Sequence, residues 1–238
     1  MKRKFLFSCY QSPRGKLLQA LEVDYLKRSI TVGCQQTILQ IGGLGWENEF
    51  MDCSLYQRFT IIDTLGEGFA EASKIRARAF SLPIQSNSVD LVILPHILEF
   101  DANRFQTMRE VERVLKPEGD LIVLSLNPWS LWLRTQYLWD RKLADSWWQG
   151  HFITRSRLLD WLKLLNFEVK TTAEFGIDSC KINIGTFDLS QNTLLATAYA
   201  IRAVKRRYTL IPLAPATMSS QPILAASGLE SSRTEHHE

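Results

Sequence analysis

Short apolar runs alternate with amphipathic segments along most of this chain. The runs are rich in β-branched and large apolar residues and predict seven strands, at residues 37–41, 59–63, 77–80, 89–94, 120–126, 167–172 and 193–204. Apolar positions recur at helical spacing over residues 15–29, 101–115 and 154–165. Strands that alternate with helices are typical of an α/β fold with a doubly wound, mostly parallel sheet and helices on both of its faces. Residues 173–192 lack a helical pattern, so we expect the last strands to be antiparallel.

The chain divides into three parts by composition. Residues 1–36 form a predicted helical segment, and residues 37–212 form the α/β domain. This domain includes a tryptophan-rich segment at 127–152. Residues 213–238 are rich in Ala, Ser, Thr and Pro, which predicts a flexible tail.

Composition narrows the class of protein. The 238 residues are 45% hydrophobic and 22% charged, which is enough for one large core without a disulfide or a structural metal. The four cysteines lack metal-ligand spacing, so we expect free thiols, no metal site and a cytoplasmic location. The sequence also lacks an apolar run of about 18 residues, the length that crosses a membrane.

Charge is nearly balanced overall but uneven along the chain. A net charge of +3 argues against a protein whose main task is to bind nucleic acid, so we expect no specific nucleic-acid partner. Residues 1–30 nevertheless hold seven Lys or Arg against Glu22 and Asp24. A second basic group lies at Arg202, Lys205, Arg206 and Arg207. The cations of both groups could contact anionic lipid or nucleic acid, or they form a solvated face.

A glycine-rich turn follows the first predicted strand. The turn reads Gly42-Gly43-Leu44-Gly45, and Asp63 ends the second strand about 20 residues later. Glycine lets a backbone approach a ligand closely, and an acid at the end of the second strand can accept both ribose hydroxyls. The pattern therefore favours a nucleotide-type ligand. A nicotinamide oxidoreductase is disfavoured because the turn lacks GxGxxG.

A longer run of motifs carries a family resemblance. It includes Leu82-Pro83, the strand around Val89-Asp90-Leu91-Val92, Pro95-His96, and the R-E-V-E-R-V-L-K-P-E-G run over residues 109–119. In this order the motifs resemble the class I S-adenosylmethionine (SAM)-dependent methyltransferases, in their small-molecule, type 11-like branch. Residues 127–130 and 160–169 resemble a little-characterised bacterial subgroup of that family. The resemblance implies a Rossmann-like fold, SAM as cofactor and a small-molecule methyl acceptor.

The resemblance also implies a set of cofactor-binding residues. These are Gln40, Gly42 and Gly45 around the turn, Asp63 for the ribose, and Leu82, Pro83, Pro95 and His96 along the expected cofactor. The chain departs from the family pattern D-x-G-x-G-x-G, because Gln40 stands at the position of the acid. Arg78 stands where the family commonly has an acid for the adenine amino group. A methyltransferase-fold binding or regulatory protein, with cofactor binding weakened or lost, is therefore the alternative function.

Methyl transfer needs a base only when the acceptor must lose a proton, because alignment in a dry site supplies much of the rate. His96, at the end of the fourth strand, is the first candidate for that base, and Glu99 and Asn127 are weaker ones. The structural alternative for His96 is a histidine that only shapes the pocket. The alternatives are an exposed position for Glu99 and a turn for Asn127, since Asn127 precedes Pro128. The run Asn127-Pro128-Trp129 is too incomplete to indicate a nucleic-acid amino-methyltransferase.

The tryptophan-rich segment has three interpretations. It holds five of the seven tryptophans, Trp129, Trp132, Trp139, Trp147 and Trp148. A substrate cover made of these rings would suit an apolar or aromatic acceptor. A membrane-surface helix and an additional core helix are the alternatives. The sequence leaves the oligomeric state open.

Overall fold

The computed structural model describes residues 4–31, 33, 35–52, 58–66, 68–135, 151–177, 181–185 and 196–207. The predicted tail at 213–238 lies outside the described residues. So does the part of the tryptophan-rich segment that contains Trp139, Trp147 and Trp148.

The described residues form eight strands and four helices with defined bounds, and residues 131–135 are also helical. The helices are α1 (Lys4–Gln11), α2 (Pro13–Ser29), α3 (Arg104–Val114) and α4 (Arg155–Leu164). The strands are β1 (Ile38–Ile41), β2 (Phe59–Asp63), β3 (Ser73–Arg76), β4 (Val89–Pro95), β5 (Leu115–Leu126), β6 (Phe167–Gly176), β7 (Lys181–Gly185) and β8 (Ala198–Lys205). A single 3₁₀ turn (Glu47–Glu49) follows the glycine-rich turn.

All eight strands lie in one sheet, in the order β3-β2-β1-β4-β5-β8-β6-β7. Strands β1 to β5 pair in parallel. Strand β8 lies antiparallel between β5 and β6, and β7 pairs antiparallel with β6 at the edge. The predicted α/β fold with a mostly parallel sheet and antiparallel last strands is therefore confirmed, and β7 is a strand that the sequence pattern did not predict.

The predicted bounds differ from the observed ones at two strands. The third strand lies at Ser73–Arg76 rather than at 77–80, because Arg78 and Ser81 form a separate turn with a single bridge. The fifth strand begins at Leu115 rather than at 120. Pro117 and Gly119 suggested a break there, but pairing with β4 continues to Leu115 across a register shift.

The N-terminal segment contains two helices where the periodicity predicted one. Ser12 separates them and caps α2, since its hydroxyl accepts a hydrogen bond from Gly15 N (3.0 Å). Pro13 occupies the first turn of α2, where its missing N–H costs nothing. A Cβ atom at Gly15 would lie 1.8 Å from Cys9 O, so only glycine lets α2 turn this closely against α1.

Buried side chains form two clusters, one on each face of the sheet. Helices α1 and α2 cover the first face, where Leu18 and Leu26 join Ile38 and Ile93. Helices α3 and α4 cover the second face, whose buried residues include Met108, Leu158, Val92 and Val123. Successive residues of β4 alternate between the clusters because side chains of a strand point to opposite faces. Helices on both faces were predicted, and the structure confirms them.

Parallel strands bring their carboxyl ends to one edge of the sheet, and this edge is where α/β proteins place ligands. Strands β1, β2 and β4 end there at Ile41, Asp63 and Pro95. The edge therefore collects the glycine-rich turn, Asp63 and His96, as their positions after strands suggested.

At the opposite end of the sheet, Lys205 ties β8 to α3. Its Nζ donates to Leu115 O (2.9 Å) and Asn87 Oδ1 (3.2 Å) and pairs with Glu112 Oε1 (3.0 Å). We expect Lys205→Met to lower the free energy of unfolding by about 2 kcal/mol, because the buried carbonyl oxygen of Leu115 loses its donor. Urea denaturation checks this. Arg206→Gln, at a more exposed ion pair, is the control and should leave the midpoint nearly unchanged. Equal shifts for both variants would contradict the assigned role.

Candidate functional site

The glycine-rich turn leaves β1 in a conformation that favours glycine. Gly42 and Gly45 both have φ of 92°. Gly42 N donates to Ile62 O (2.7 Å), which fixes the start of the turn against β2. A Cβ atom placed on Gly45 would meet no atom of the described residues within 4 Å. The turn therefore has open space at Gly45.

A buried carboxylate that the sequence analysis missed holds this turn. Glu47 Oε1 accepts hydrogen bonds from Leu44 N (2.5 Å) and Gln40 Nε2 (2.8 Å). Its Oε2 accepts from Gly45 N (2.9 Å) and Phe69 N (2.8 Å). Gln40 stands where the family pattern has an acid, and Glu47 supplies a negative charge from the far side of the turn. The acid that directly follows G-G-L-G-W is the one local signal that could have indicated it.

Asp63 links the end of β2 to the same turn. Its Oδ2 accepts from Gly43 N (3.2 Å), and its Oδ1 accepts from Leu65 N (2.8 Å). The residue is 9% exposed, which places its carboxylate at the border between protein and solvent. Binding of a ribose by Asp63 stays a prediction, and the position suits it.

His96 lies between two carboxylates. Its Nε2 is 3.0 Å from Glu22 Oε1, and its Nδ1 is 3.3 Å from Glu99 Oε1. The Tyr10 hydroxyl donates to Glu22 Oε2 (2.6 Å), and Glu99 Oε1 also accepts from Leu126 N (2.7 Å). We call Tyr10, Glu22, His96 and Glu99 the His96 cluster; all four side chains are buried. Glu99, for which exposure was one interpretation, is 1% exposed.

The His96 side chain carries a positive charge at neutral pH. Burial alone would lower the pKa of His96, but the facing carboxylates of Glu22 and Glu99 outweigh it and raise the pKa to about 9. Both ring nitrogens then carry protons that point to carboxylates. An imidazolium has no lone pair to accept a proton, so the geometry favours the structural alternative for His96 over the general base. The backbone of His96 has φ of 51°, an uncommon value for a residue other than glycine.

Two charged residues of α3 hold the segment predicted to lie along the adenine. Glu110 Oε2 accepts from Leu82 N (2.9 Å), and Arg113 donates to Leu82 O (3.0 Å) and Ile84 O (2.9 Å). The same arginine lowers the pKa of Glu110 through a hydrogen bond. The R-E-V-E-R run therefore orders this segment, in which Leu82 is buried and Pro83 is exposed.

Several buried polar atoms of this edge have no hydrogen-bond partner among the described residues, including Gln40 Oε1, Trp46 Nε1 and Glu99 Oε2. The ring of Tyr10 packs edge-on against both Trp46 (5.9 Å) and His96 (6.3 Å). The turn and the His96 cluster are thus neighbours. Buried polar atoms are rarely left unpaired, and such atoms often mark a place where water or a ligand binds.

The remaining candidates make other contacts. Arg78 is exposed, with its guanidinium over the ring of Phe80 (5.8 Å). Asn127 donates to Ala196 O (2.8 Å) and accepts from Trp129 N (3.1 Å), which fits its interpretation as a turn residue. Trp129 is 57% exposed, whereas Trp132 packs against the core.

Most cations of the second basic group, at residues 202–207, form ion pairs within the protein. Arg202 pairs with Asp120 (2.9 Å), Lys205 is buried, and Arg206 pairs with Glu118 and Glu168. These ion pairs already engage Arg202, Lys205 and Arg206, which disfavours contact of this group with an anionic partner. Among the described residues no helix is long and apolar enough to span a membrane. The same part of the chain contains no group of three metal-ligating side chains.

Part of the chain, from the end of the glycine-rich turn into β5, matches a known protein family. A family model described as a methyltransferase domain matches residues 47–123, a match that starts after the glycine-rich turn. The uncharacterized protein YafS of Escherichia coli K12 is 30% identical over 166 residues, which cover 69% of this chain and 66% of that protein.

Solved structures match the fold at low sequence identity. A SAM-dependent methyltransferase from Thermotoga maritima has a TM-score of 0.63 at 17% identity, with 81% of this chain and 91% of that chain covered. Geranyl diphosphate C-methyltransferase from Streptomyces coelicolor, solved with S-adenosylhomocysteine (SAH), has a TM-score of 0.56 at 10% identity, with 79% of each chain covered.

The four hydrogen bonds of Glu47 make it the residue that holds the turn. We expect Glu47→Gln to lower the free energy of unfolding by about 2 kcal/mol, because an NH₂ group would face backbone N–H donors. Chemical denaturation measures the loss. Glu49→Gln is a matched control, since Glu49 is exposed and a glutamine there can still accept from Gln19. A Glu47→Gln variant as stable as Glu49→Gln would refute the role.

The His96 cluster should also make stability depend on pH. The folded-state pKa of His96, about 9, is above its ordinary value of about 6.5. Its contribution is therefore fully present below pH 6.5 and is lost as the pH rises through 9. Urea denaturation between pH 6 and 9.5 should show this loss, on the order of 3 kcal/mol, in the wild type and a flatter profile in Glu22→Gln. The exposed His151→Gln variant should keep the wild-type profile, and a flat wild-type profile would contradict the assignment.

Proposed function

We propose that this chain, which has the fold of class I SAM-dependent methyltransferases and matches a methyltransferase-domain family model over residues 47–123, transfers a methyl group from SAM to a small-molecule acceptor. One observation carries the proposal. The unpaired buried atoms of Gln40, Trp46 and Glu99 lie at the carboxyl edge of the sheet. Asp63, the last residue of β2, lies at the same edge.

The side chains at this edge fit the parts of SAM. The carboxylate of Asp63 suits the two ribose hydroxyls, and the unpaired Gln40 Oε1 suits the ammonium group of the methionine end. The open space at Gly45 leaves room beside the turn, and Leu82 offers an apolar surface to the adenine. When bound, SAM would supply an electrophilic methyl group on a sulfonium sulfur.

The chain's own contribution to the reaction is alignment and exclusion of water. Helices α1 and α2 cover one face of the sheet and bring Tyr10 and Glu22 over the end of β4. The buried side chains of the His96 cluster fill that region. A dry, ordered site lowers the barrier to an in-line displacement because the reacting atoms need little reorganisation.

The acceptor is proposed to be a small molecule with an apolar or aromatic part. Trp129 and Leu131 are exposed directly after β5, at the same edge of the sheet. Large apolar side chains at the mouth of a site favour binding of an apolar group.

The alternative is a methyltransferase-fold protein that binds a ligand without turnover. The neutral Gln40 favours it, because an amide binds an ammonium group less strongly than a carboxylate does. The amides of Leu44 and Gly45 also already bind Glu47 and are not free for a ligand. Formation of SAH from SAM in the presence of acceptors would separate the two functions.

Calorimetry with SAM and with SAH tests the proposal directly. We expect binding of both, and Asp63→Ala should weaken it at least tenfold because the ribose loses two hydrogen bonds. Asp160→Ala, at an exposed position on α4, is the control and should bind as the wild type does. Absence of heat at millimolar SAM would overturn the proposed function. An unchanged affinity of Asp63→Ala would show that the ribose binds elsewhere.

A further inference from the structure

We propose that the methyl acceptor is an amine and that Glu99 is the catalytic residue that takes its proton, an inference that rests on the proposed function. Glu99 follows β4 and is 1% exposed. Its Oε1 is fully used, since it accepts from Leu126 N (2.7 Å) and faces His96 Nδ1 (3.3 Å). Its Oε2 is buried and has no partner within the described ranges.

The unpaired Oε2 indicates the hydrogen-bonding character of the missing group. A buried carboxylate oxygen without a donor loses its hydration and gains nothing in return. A ligand that restores this loss must present an N–H or O–H group at Oε2. Gln40 Oε1 is a second buried acceptor without a partner at this edge. It likewise favours ligands, here SAM and the methyl acceptor, that carry hydrogen-bond donors.

The charge around Glu99 favours a cationic group. The His96 cluster contains two acidic side chains, Glu22 and Glu99, which both face the single histidine, so acidic groups outnumber basic ones in it. Tyr10 is hydrogen-bonded as a neutral phenol, and Tyr199 on β8 stays neutral because burial raises its pKa. Arg155 pairs with Glu174 (2.8 Å) and adds no net charge. A buried excess negative charge is stabilised by a cation and destabilised by an anion.

Proton transfer to Glu99 is more favourable from an amine acceptor than from a hydroxyl acceptor. An alkylammonium group and a phenol have similar ordinary pKa values of about 10, far above the value of about 4.3 for a glutamic acid. Transfer from an ammonium group to a carboxylate removes two opposite charges, whereas transfer from a phenol only moves a negative charge. Burial favours neutral groups, so the dry site assists the first transfer and not the second.

The resulting step is balanced in atoms and charge. The ammonium N–H bond breaks, its proton bonds to Glu99 Oε2, and the electron pair remains on nitrogen. That pair forms the new nitrogen–carbon bond while the bond from the methyl carbon to sulfur breaks and its electrons stay on sulfur. The positive charge thus passes from sulfur to the product nitrogen, and Glu99 returns its proton to solvent when the site opens.

Benzylamine and benzyl alcohol form a matched pair of probes, equal in shape and different in the donor group. The protein saturated with SAH is titrated with each, and NMR follows the Leu126 amide and the His96 side chain. Both report on Glu99 because both bind its Oε1. We expect benzylamine at millimolar concentration to shift these signals and benzyl alcohol to leave them unchanged.

Glu99→Gln provides the second arm of the experiment. The glutamine can still accept from Leu126 N but places an NH₂ group at the position of Oε2, so benzylamine affinity should fall at least tenfold. Glu49→Gln should keep the wild-type affinity. If Glu99→Gln does not fold, the comparison of amine and alcohol in the wild type remains decisive.

The outcomes distinguish this inference from the proposed function. Equal shifts with both probes, no shift with benzylamine, or an unchanged affinity in Glu99→Gln would overturn the amine assignment while SAM binding by calorimetry still holds. Failure to bind SAM would overturn the proposed function itself.

Discussion

The carboxyl edge of the sheet depends on the pairing of charges around His96. An ion costs several kcal/mol to bury unless it is paired, so each member of the His96 cluster needs the others. The members come from α1, α2 and the segment after β4, and Glu99 also binds the backbone of β5 at Leu126. The N-terminal helices therefore dock in one orientation, and the region above β4 is ordered before any ligand arrives. A single buried network thus joins the two N-terminal helices to the central strands β4 and β5.

The parts of the site that the sequence predicts are those with local signals. Gly42 and Asp63 follow apolar strands, and strand ends meet at one edge in any parallel sheet. The motif after β4 likewise places His96 at that edge. The match to a methyltransferase-domain model and the similar folds of solved methyltransferases agree with these expectations. The assignment of individual side chains to SAM stays a prediction. The alternation of apolar runs with amphipathic segments predicted the fold class, because strands β1, β2 and β4 are buried on both faces and therefore read as continuous apolar runs.

What the sequence could not predict are partnerships between distant residues. Glu22 lies 74 residues from His96, and its helix shows the amphipathic pattern of any surface helix. Nothing local marks this acid as buried. Glu47 is nearer to its partners but looks like an ordinary acid at the start of a 3₁₀ turn. The same limit applies to the fifth strand, where Pro117 and Gly119 look like a break until the partner strand β4 is known.

The position of β8 has a consequence for how the protein is made. Strand β8 enters the sheet between β5 and β6, although it is the last described strand along the chain. While the ribosome is still adding residues 198–205, the edges of β5 and β6 have no neighbour on that side. Unpaired strand edges are templates for association with other chains. Synthesis of this protein therefore passes through a stage at which the middle of its sheet is open, and only arrival of the final strand closes it.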